Sequence, residues 1–158
     1  MKLNFILNEK EVSVDTNPLR RLLDVLRDDL KCKDVKEGCS EGECGACSVL
    51  LDGKIVTSCL IPVGAVNGQK IMTSGYITST EKGKLIADAF ADAGAVQCGF
   101  CIPGMVVAVY NLLSENSNPS EDDIRLGISG NICRCTGYDL IVEAVKLAVK
   151  RGGEIWKK

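Results

Sequence analysis

The first stretch of the chain alternates apolar and polar positions in the manner of strands. Leu3, Phe5 and Leu7 recur at every second position, and Val12 and Val14 repeat the pattern after a polar turn. A period of two is typical of strands that bury one face. The pattern therefore predicts two short strands joined by a turn.

Further along, the pattern predicts one helix and more strands. Pro18 follows an asparagine, as at the start of a helix, and leucines then recur at helical spacing over residues 19–30. Asp52-Gly53 divides two apolar runs within 48–56 and is a strong hairpin signal. Residues 69–73 predict a further strand. The simplest interpretation is one helix lying across a small mixed sheet.

After a segment rich in Ser, Thr and Gly, the apolar period lengthens to that of helices. Helical segments are predicted over 80–94, 105–113 and 139–150, and Ser120 followed by acidic residues marks the start of a fourth. Four such helices predict a small bundle. The chain is thus predicted to be α+β, with one unit over residues 1–76 and a helical unit over residues 77–158.

Composition narrows the classes of function. The 158 residues include 9 cysteines and no histidine, with a net charge of −2. The lack of histidine removes the usual general base and Rieske-type ligands, and the slight acidity argues against nucleic acid as a partner. The sequence predicts neither a membrane span nor a signal peptide, so we expect a cytoplasmic protein. In that reducing compartment, abundant cysteine indicates metal binding rather than disulfides.

Four cysteines fall in the first half, and their spacing is C-x4-C-x2-C followed by a more distant fourth. This spacing is typical of plant-type [2Fe–2S] ligation. Three glycines within residues 38–47 would let the backbone approach a cluster closely and donate N–H groups to sulfur. We call these cysteines the first thiol set: Cys39, Cys44, Cys47 and Cys59. The odd cysteine, Cys32, is expected to be a non-ligand.

The second half holds four more cysteines, as a C-x2-C pair and a later C-x-C pair. One pair precedes the predicted helix start at Pro103, and the other precedes the helix that follows Gly137. Both pairs are therefore expected at helix N-termini, facing each other across the bundle. We call them the second thiol set: Cys98, Cys101, Cys133 and Cys135.

Other uses of these thiols stay open at this point. Two zinc sites are possible, since four thiolates suit either zinc or an iron–sulfur cluster. The spacing favours iron–sulfur for the first thiol set and discriminates little for the second. A redox dithiol at Cys98 and Cys101 is less favoured, because it lacks the βαβ context of such motifs and leaves Cys133 and Cys135 unused.

Three motifs resemble those of one family, the small iron–sulfur subunits of molybdenum hydroxylases, the group of xanthine dehydrogenase, aldehyde oxidoreductase and carbon monoxide dehydrogenase. They are EGCSEGECGACSVLLDG, AVQCGFCIPGM and GNICRCTGY, in that order. Within the group, the chain is most similar to nicotinate or purine dehydrogenase subunits. One departure is Ser74-Gly75, where the family usually has Glu-Gly; it bears on the link between the units.

The resemblance implies a β-grasp, plant-type ferredoxin-like domain followed by a four-helix domain, each with one [2Fe–2S] cluster. It implies that the second cluster lies nearest the molybdopterin of a large subunit, with Gln97 and Cys135 against the pterin. The first cluster would pass electrons to an FAD-binding subunit of the same hetero-oligomer.

The implied function is electron transfer within an oxidoreductase whose large subunit oxidises an N-heterocycle, of nicotinate or purine type, or an aldehyde. The pterin is either the plain form or a cytosine dinucleotide. The rival hypotheses are a free-standing ferredoxin-like electron carrier and an interaction module whose fold is stabilised by bound zinc.

Overall fold

A five-stranded mixed sheet is followed by a bundle of helices in the computed structural model, which describes residues 1–157. Strands β1 (Lys2–Leu7) and β2 (Lys10–Asp15) form an antiparallel hairpin. Asn8 and Glu9 join them with φ values of 52° and 64°. Positive φ at both turn positions matches the right-handed twist of the flanking strands. The two strands predicted from the alternating pattern are thus confirmed.

The second predicted hairpin is also present. Strands β3 (Ser48–Leu51) and β4 (Lys54–Thr57) pair antiparallel across Asp52 and Gly53. Strand β5 (Lys70–Met72) pairs parallel with β1 and antiparallel with β3, so the sheet order is β2-β1-β5-β3-β4. The return of the last strand to the middle of the sheet makes the sheet mixed, as predicted.

The first helix is shorter than the leucine pattern predicts. Helix α1 spans Leu22–Asp24 and continues as a π-helical turn over Val25–Asp29. The Asn17 side chain instead accepts a hydrogen bond from the Leu19 N–H at 3.0 Å, and Leu19 is 81% exposed. An asparagine that bonds its own local backbone competes with helix formation, so the Asn-Pro pair forms a turn and the helix begins later.

The described part of the second half contains the four predicted helices and two additional helical turns. The four are α3 (Glu81–Asp92), α4 (Ile102–Glu115), α5 (Glu121–Gly127) and α6 (Asp139–Gly152). The additional turns are α2 (Ser74–Ile77) and a 3-10 turn over Gly153–Trp156. Helix α4 is central, as its apolar character predicts, and packs against α2, α3, α5 and β3. Within residues 1–157, no helix has the length and apolar character needed to cross a membrane.

Strand β3 is buried on both faces and joins the two halves. Val49 belongs to the core beneath the sheet, which α1 also lines, whereas its neighbour Leu50 belongs to the core of the helical bundle. Successive strand residues point to opposite faces, so one strand contributes to both cores. The helical half therefore packs directly on the sheet.

Asp34 fixes the segment that links the halves. Its Oδ2 accepts a hydrogen bond from the Gly75 N–H at 2.7 Å and another from the Ser74 hydroxyl at 3.1 Å. The serine at the position where Glu is usual in the resembling family thus supplies a donor to a carboxylate of the first half. The link is a hydrogen-bonded turn held against the sheet domain.

We expect Asp34→Ala to lower the free energy of unfolding by about 1–3 kcal/mol, because two donors lose their shared acceptor. Thermal unfolding followed by circular dichroism on the iron-loaded protein measures the change. Asp28→Ala is the matched control, since the exposed Asp28 carboxylate forms only a 3.5 Å ion pair with Lys33. Equal melting temperatures for the two variants would show that the Asp34 contacts contribute nothing.

Candidate metal centres

Peptide N–H groups converge on the outer part of the first thiol set. The Sγ of Cys39 accepts from the N–H groups of Glu41, Glu43 and Cys44 at 3.4, 3.3 and 3.3 Å. The Cys39 N–H in turn donates to the Cys44 Sγ at 3.4 Å. These donors, with Glu41 the strongest, lower the pKa of Cys39 to about 7. The loop thus favours the thiolate, which is the form that binds metal.

The loop can turn its N–H groups inward because of its backbone conformation. Ser40, Gly42 and Gly45 have φ values of 62°, 79° and 70°. A Cβ at Gly42 would overlap Leu60, and a Cβ at Gly45 would overlap the carbonyl of Gly130. Glycine is therefore required at both positions by the left-handed backbone and by close approach.

Cys47 and Cys59 form the inner part of the first thiol set, each only 3% exposed. Cys59 lies on a 3-10 turn (Ser58–Leu60) that follows β4. The N–H and the hydroxyl of Ser58 both donate to the Cys47 carbonyl, at 3.3 and 2.8 Å. Burial, together with the neighbouring Cys47 thiol, raises the pKa of Cys59 to about 11. The four predicted residues are thus brought together as an outer pair and an inner pair.

The second thiol set is also arranged in pairs. The Sγ atoms of Cys98 and Cys135 are 3.7 Å apart, and both residues are exposed. Cys101 and Cys133 are neighbours at a more buried level. Cys101 is the N-cap residue of α4, as the sequence predicts. Burial raises the pKa of Cys101 to about 12. Residues more than thirty positions apart in sequence therefore supply the two members of each pair.

Thr136 and Tyr138 support the more buried pair. The Thr136 hydroxyl donates to the Cys133 Sγ at 3.2 Å, and the Tyr138 N–H donates to the Thr136 Oγ1 at 3.2 Å. The Cys133 N–H donates to the Tyr138 phenolic oxygen at 3.0 Å. Burial raises the pKa of Cys133, but hydrogen-bond donors outweigh it and bring the pKa down to about 7; the Thr136 hydroxyl contributes most, followed by the Thr136 N–H, Cys101 and the Cys135 N–H.

The two thiol sets face each other across the boundary between the halves. A cavity of about 180 Å³ is lined by residues of both, including Cys44 on one side and Cys133 on the other. The Ile132 N–H donates to the Cys44 carbonyl at 2.9 Å. Since Ile132 precedes Cys133 directly, a single hydrogen bond connects the backbones that carry the two sets.

A buried amide holds this boundary together. Asn131 is 4% exposed, and its Nδ2 donates to the Gly45 carbonyl at 3.0 Å and to the Ser48 hydroxyl at 3.4 Å. Gly104 of α4 lies against the same Gly45 carbonyl, where a Cβ would overlap it. Close backbone approach therefore fixes the separation of the thiol sets.

The outer pair of the second thiol set opens onto the surface beside apolar side chains. Phe100 is 47% exposed and Ile132 is 54% exposed. Gln97, which the resemblance assigns to a pterin contact, is exposed next to Cys98, and its Nε2 donates to the Gly94 carbonyl at 3.1 Å. That assignment stays a prediction.

Cys32 lies apart from both sets. It is half-buried against the core beneath the sheet, and its thiol donates weakly to the Leu30 carbonyl at 3.8 Å. Burial raises its pKa, which disfavours the thiolate. A structural role, as expected, accounts for these contacts.

Sequence reasoning missed three residues of the site. Asn131, Thr136 and Tyr138 all lie within or beside the quoted GNICRCTGY motif, but no role was assigned to them. The sequence feature that could have identified them is their proximity to the C-x-C pair, because polar side chains beside cysteine ligands commonly orient these ligands or form hydrogen bonds with them.

The donor set fits a pair of two-iron clusters. Among residues 1–157, no three Cys, Asp or Glu side chains surround a single point as ligands of one ion. The thiols are grouped two and two, which suits a [2Fe–2S] cluster in which each iron takes two protein ligands. The N–H and hydroxyl groups directed at sulfur are the contacts that such clusters use.

Comparison with known families agrees with this chemistry. A 2Fe-2S iron-sulfur cluster binding domain matches residues 5–72, and a [2Fe-2S] binding domain matches residues 73–146. The predicted ferredoxin-like domain and the helical [2Fe–2S]-binding domain that follows it are confirmed by these matches.

Similar proteins cover nearly the whole chain. The nicotinate dehydrogenase small FeS subunit of Eubacterium barkeri is 46% identical over 94% of this chain and 95% of its own. The nicotine 6-hydroxylase small subunit of Paenarthrobacter nicotinovorans is 40% identical over 85% and 87%. In the solved structure of quinoline 2-oxidoreductase from Pseudomonas putida 86, one chain matches with a TM-score of 0.88 and 36% identity, covering 96% of this chain and 97% of that one.

The same unit occurs inside longer chains. The aldehyde oxidoreductase of Desulfovibrio desulfuricans matches 96% of this chain with a TM-score of 0.88 and 39% identity, but only 17% of that chain is covered. The xanthine dehydrogenase of Calliphora vicina is 41% identical over 96% of this chain and 12% of its own length. In these proteins the equivalent of this chain is one part of a larger polypeptide.

We expect Gly104→Ala to destabilise the protein by about 1–3 kcal/mol, because the added methyl overlaps a backbone carbonyl that cannot retreat. Alanine would otherwise favour the helix by about 1 kcal/mol. Gly127→Ala is the matched control, since its Cβ meets only the flexible Leu112 side chain. Thermal unfolding and iron content measure the effect, and an unchanged Gly104→Ala protein would contradict a rigid boundary.

Proposed function

The chain belongs to the family of small [2Fe–2S] subunits of molybdenum hydroxylases, and from that premise we propose that it relays electrons from a molybdopterin-binding large subunit to an FAD-binding subunit. Its class is that of the iron–sulfur, electron-transferring subunit of an oxidoreductase. The observation that carries the proposal is the meeting of two complete thiol sets across one hydrogen bond, from Ile132 to Cys44. The longer relatives, in which the equivalent unit is part of one large chain, support permanent assembly in a hetero-oligomer.

We assign one cluster to each thiol set. Cys39 and Cys44 would hold one iron of the first cluster, and the inner cysteines of that set the other. In the second cluster, Cys98 and Cys135 would hold the exposed iron. Support comes from the paired arrangement of the thiols and from the 3.7 Å separation of the Cys98 and Cys135 sulfurs. A bound [2Fe–2S] cluster accepts and releases one electron at a time.

The second cluster is proposed to lie nearest the pterin. Cys98 and Cys135 are exposed, and Phe100 and Ile132 present apolar surface around them. Apolar side chains of this kind are suited to burial against a partner chain. Gln97, beside Cys98, is then available to donate to a polar group of the pterin, and the Cys135 sulfur is the proposed electron entry point.

Onward transfer is proposed to follow the backbone contact between the sets. From Cys133 the route passes to Ile132, across its N–H to the carbonyl of Cys44, and so to the first cluster. Asn131 keeps this contact closed by holding the adjacent Gly45 carbonyl. The first cluster would then deliver electrons to the flavin subunit.

The substrate is proposed to be an N-heterocycle of nicotinate or purine type, bound on the large subunit. Relatives named for nicotinate, nicotine and xanthine support this class. We further propose that the units divide near residue 76 and that the protein works in the cytoplasm. Nine free thiols across residues 1–157 suit a reducing compartment.

The purified iron-loaded protein, reduced with dithionite, is expected to give two distinct electron paramagnetic resonance (EPR) signals, one per cluster. Cys135→Ser should weaken or alter only one signal, because the two sets are separate. Cys32→Ser is the matched control and should leave both signals unchanged. A colourless protein that contains two equivalents of zinc would contradict the assignment.

Native purification of the chain from its source cells is expected to recover a molybdenum-containing large subunit and a flavin subunit in fixed ratio. The exposed Phe100 and Ile132 beside Cys98 and Cys135 provide the physical reason, since burial against a partner chain removes their apolar surface from water. A stable, cluster-loaded monomer without these subunits would instead support a free-standing ferredoxin-like carrier.

A further inference from the structure

One side-chain hydroxyl contacts a proposed ligand sulfur of the second cluster. The Thr136 Oγ1 lies 3.2 Å from the Cys133 Sγ, and Cys133 is 7% exposed. Thr136 itself is half-buried. A hydrogen bond to sulfur in such surroundings is electrostatically stronger than one in water, because little solvent screens it.

We propose that Thr136 is a tuning residue whose hydroxyl raises the reduction potential of the second cluster. The inference rests on the proposed function, since it takes Cys133 to be a ligand of that cluster. It concerns how strongly that site attracts an electron, which the family membership does not specify.

Tyr138 fixes the direction of the Thr136 hydroxyl. The Tyr138 N–H occupies a lone pair of the Thr136 Oγ1 at 3.2 Å, so the hydroxyl hydrogen is free to point at the sulfur. The Tyr138 phenolic oxygen accepts the Cys133 N–H at 3.0 Å, which holds the Cys133 backbone beside Thr136. Tyr138 has a φ of 73°, a conformation that non-glycine residues rarely adopt. The backbone and the phenol of Tyr138 therefore position the Thr136 hydroxyl as a donor to the Cys133 sulfur.

The first thiol set provides the contrast. Its outer sulfur, Cys39, receives three hydrogen bonds, all from peptide N–H groups. Peptide donors belong to the loop backbone and are not removed when the side chain of the donating residue is truncated. At Cys133 one donor is a side-chain hydroxyl, so a single substitution can change the hydrogen bonding of one cluster without changing the other.

The direction of the effect follows from charge. One-electron reduction adds one negative charge to the cluster and its thiolates, and no bond to the protein forms or breaks. A hydroxyl dipole whose positive end points at a ligand sulfur stabilises the more negative, reduced state. Hydrogen bonds to sulfur are among the features that set the potentials of such clusters. Removing the hydroxyl should therefore lower the potential.

The test is a redox titration of the purified complex with dithionite, in which each reduced cluster is followed by its own EPR signal. In Thr136→Val, the ratio of reduced to oxidised second cluster, measured at a fixed solution potential, is expected to fall by about threefold to tenfold. A tenfold fall corresponds to about 59 mV for a one-electron couple. Thr136→Ser keeps the hydroxyl and should match the unmodified protein, and the first cluster should not move in either variant.

Thr78→Val is the matched control, because the Thr78 hydroxyl bonds only to the carbonyls of Ser74 and Gly75. Thr136→Ala removes the hydroxyl without adding bulk and repeats the measurement if valine disturbs packing. If the reduction potential of the second cluster is unchanged in both Thr136→Val and Thr136→Ala, the proposal is overturned. Loss of the second signal in both would also overturn it, since the hydroxyl would then hold the site together. A second signal missing from the unmodified protein would instead refute the cluster assignment itself.

Discussion

The close approach of two backbones, at Gly45 and at Asn131-Ile132, is the contact on which the rest of the site depends. The Asn131 amide and the Ile132 N–H both donate to the cysteine-rich loop of the first half, to the carbonyls of Gly45 and Cys44. Gly104 of the central helix lies against the same carbonyl. A Cβ at Gly45 or at Gly104 would overlap atoms of the facing segment, so the separation of the thiol sets depends on close backbone approach.

The two halves stabilise their thiolates by different means, and neither half uses histidine. A loop with left-handed residues directs peptide N–H groups at Cys39 in the first half. In the second half, thiols at the starts of two helices are supported by a hydroxyl and a phenol, from Thr136 and Tyr138. The first arrangement is insensitive to most side-chain changes, whereas the second depends on specific side chains. This difference gives the protein a means of setting two potentials separately on one chain.

The two thiol sets also differ in how far their cysteines are exposed to solvent. The first thiol set keeps its inner pair buried, whereas Cys98 and Cys135 reach the surface beside Phe100. In the proposed function this difference in exposure defines the order of transfer, since one end is open to a partner and the other is joined through the protein. The occurrence of the same unit within much longer relatives agrees with a component that works in assembly.

Periodicity, turn residues and cysteine spacing are local properties, and they were enough to predict the order of strands and helices, both hairpins and the division of eight cysteines into two sets. The leucine pattern overestimated the length of the first helix, because the Asn17 side chain accepts a hydrogen bond from the Leu19 N–H and holds this segment in a turn. Which thiols pair, and which side chains support them, became apparent from the folded structure alone. Cys98 meets Cys135 across 37 positions, and Asn131 reaches Gly45 across 86. Contacts at such distances along the chain arise from packing of one half on the other, which no local pattern encodes.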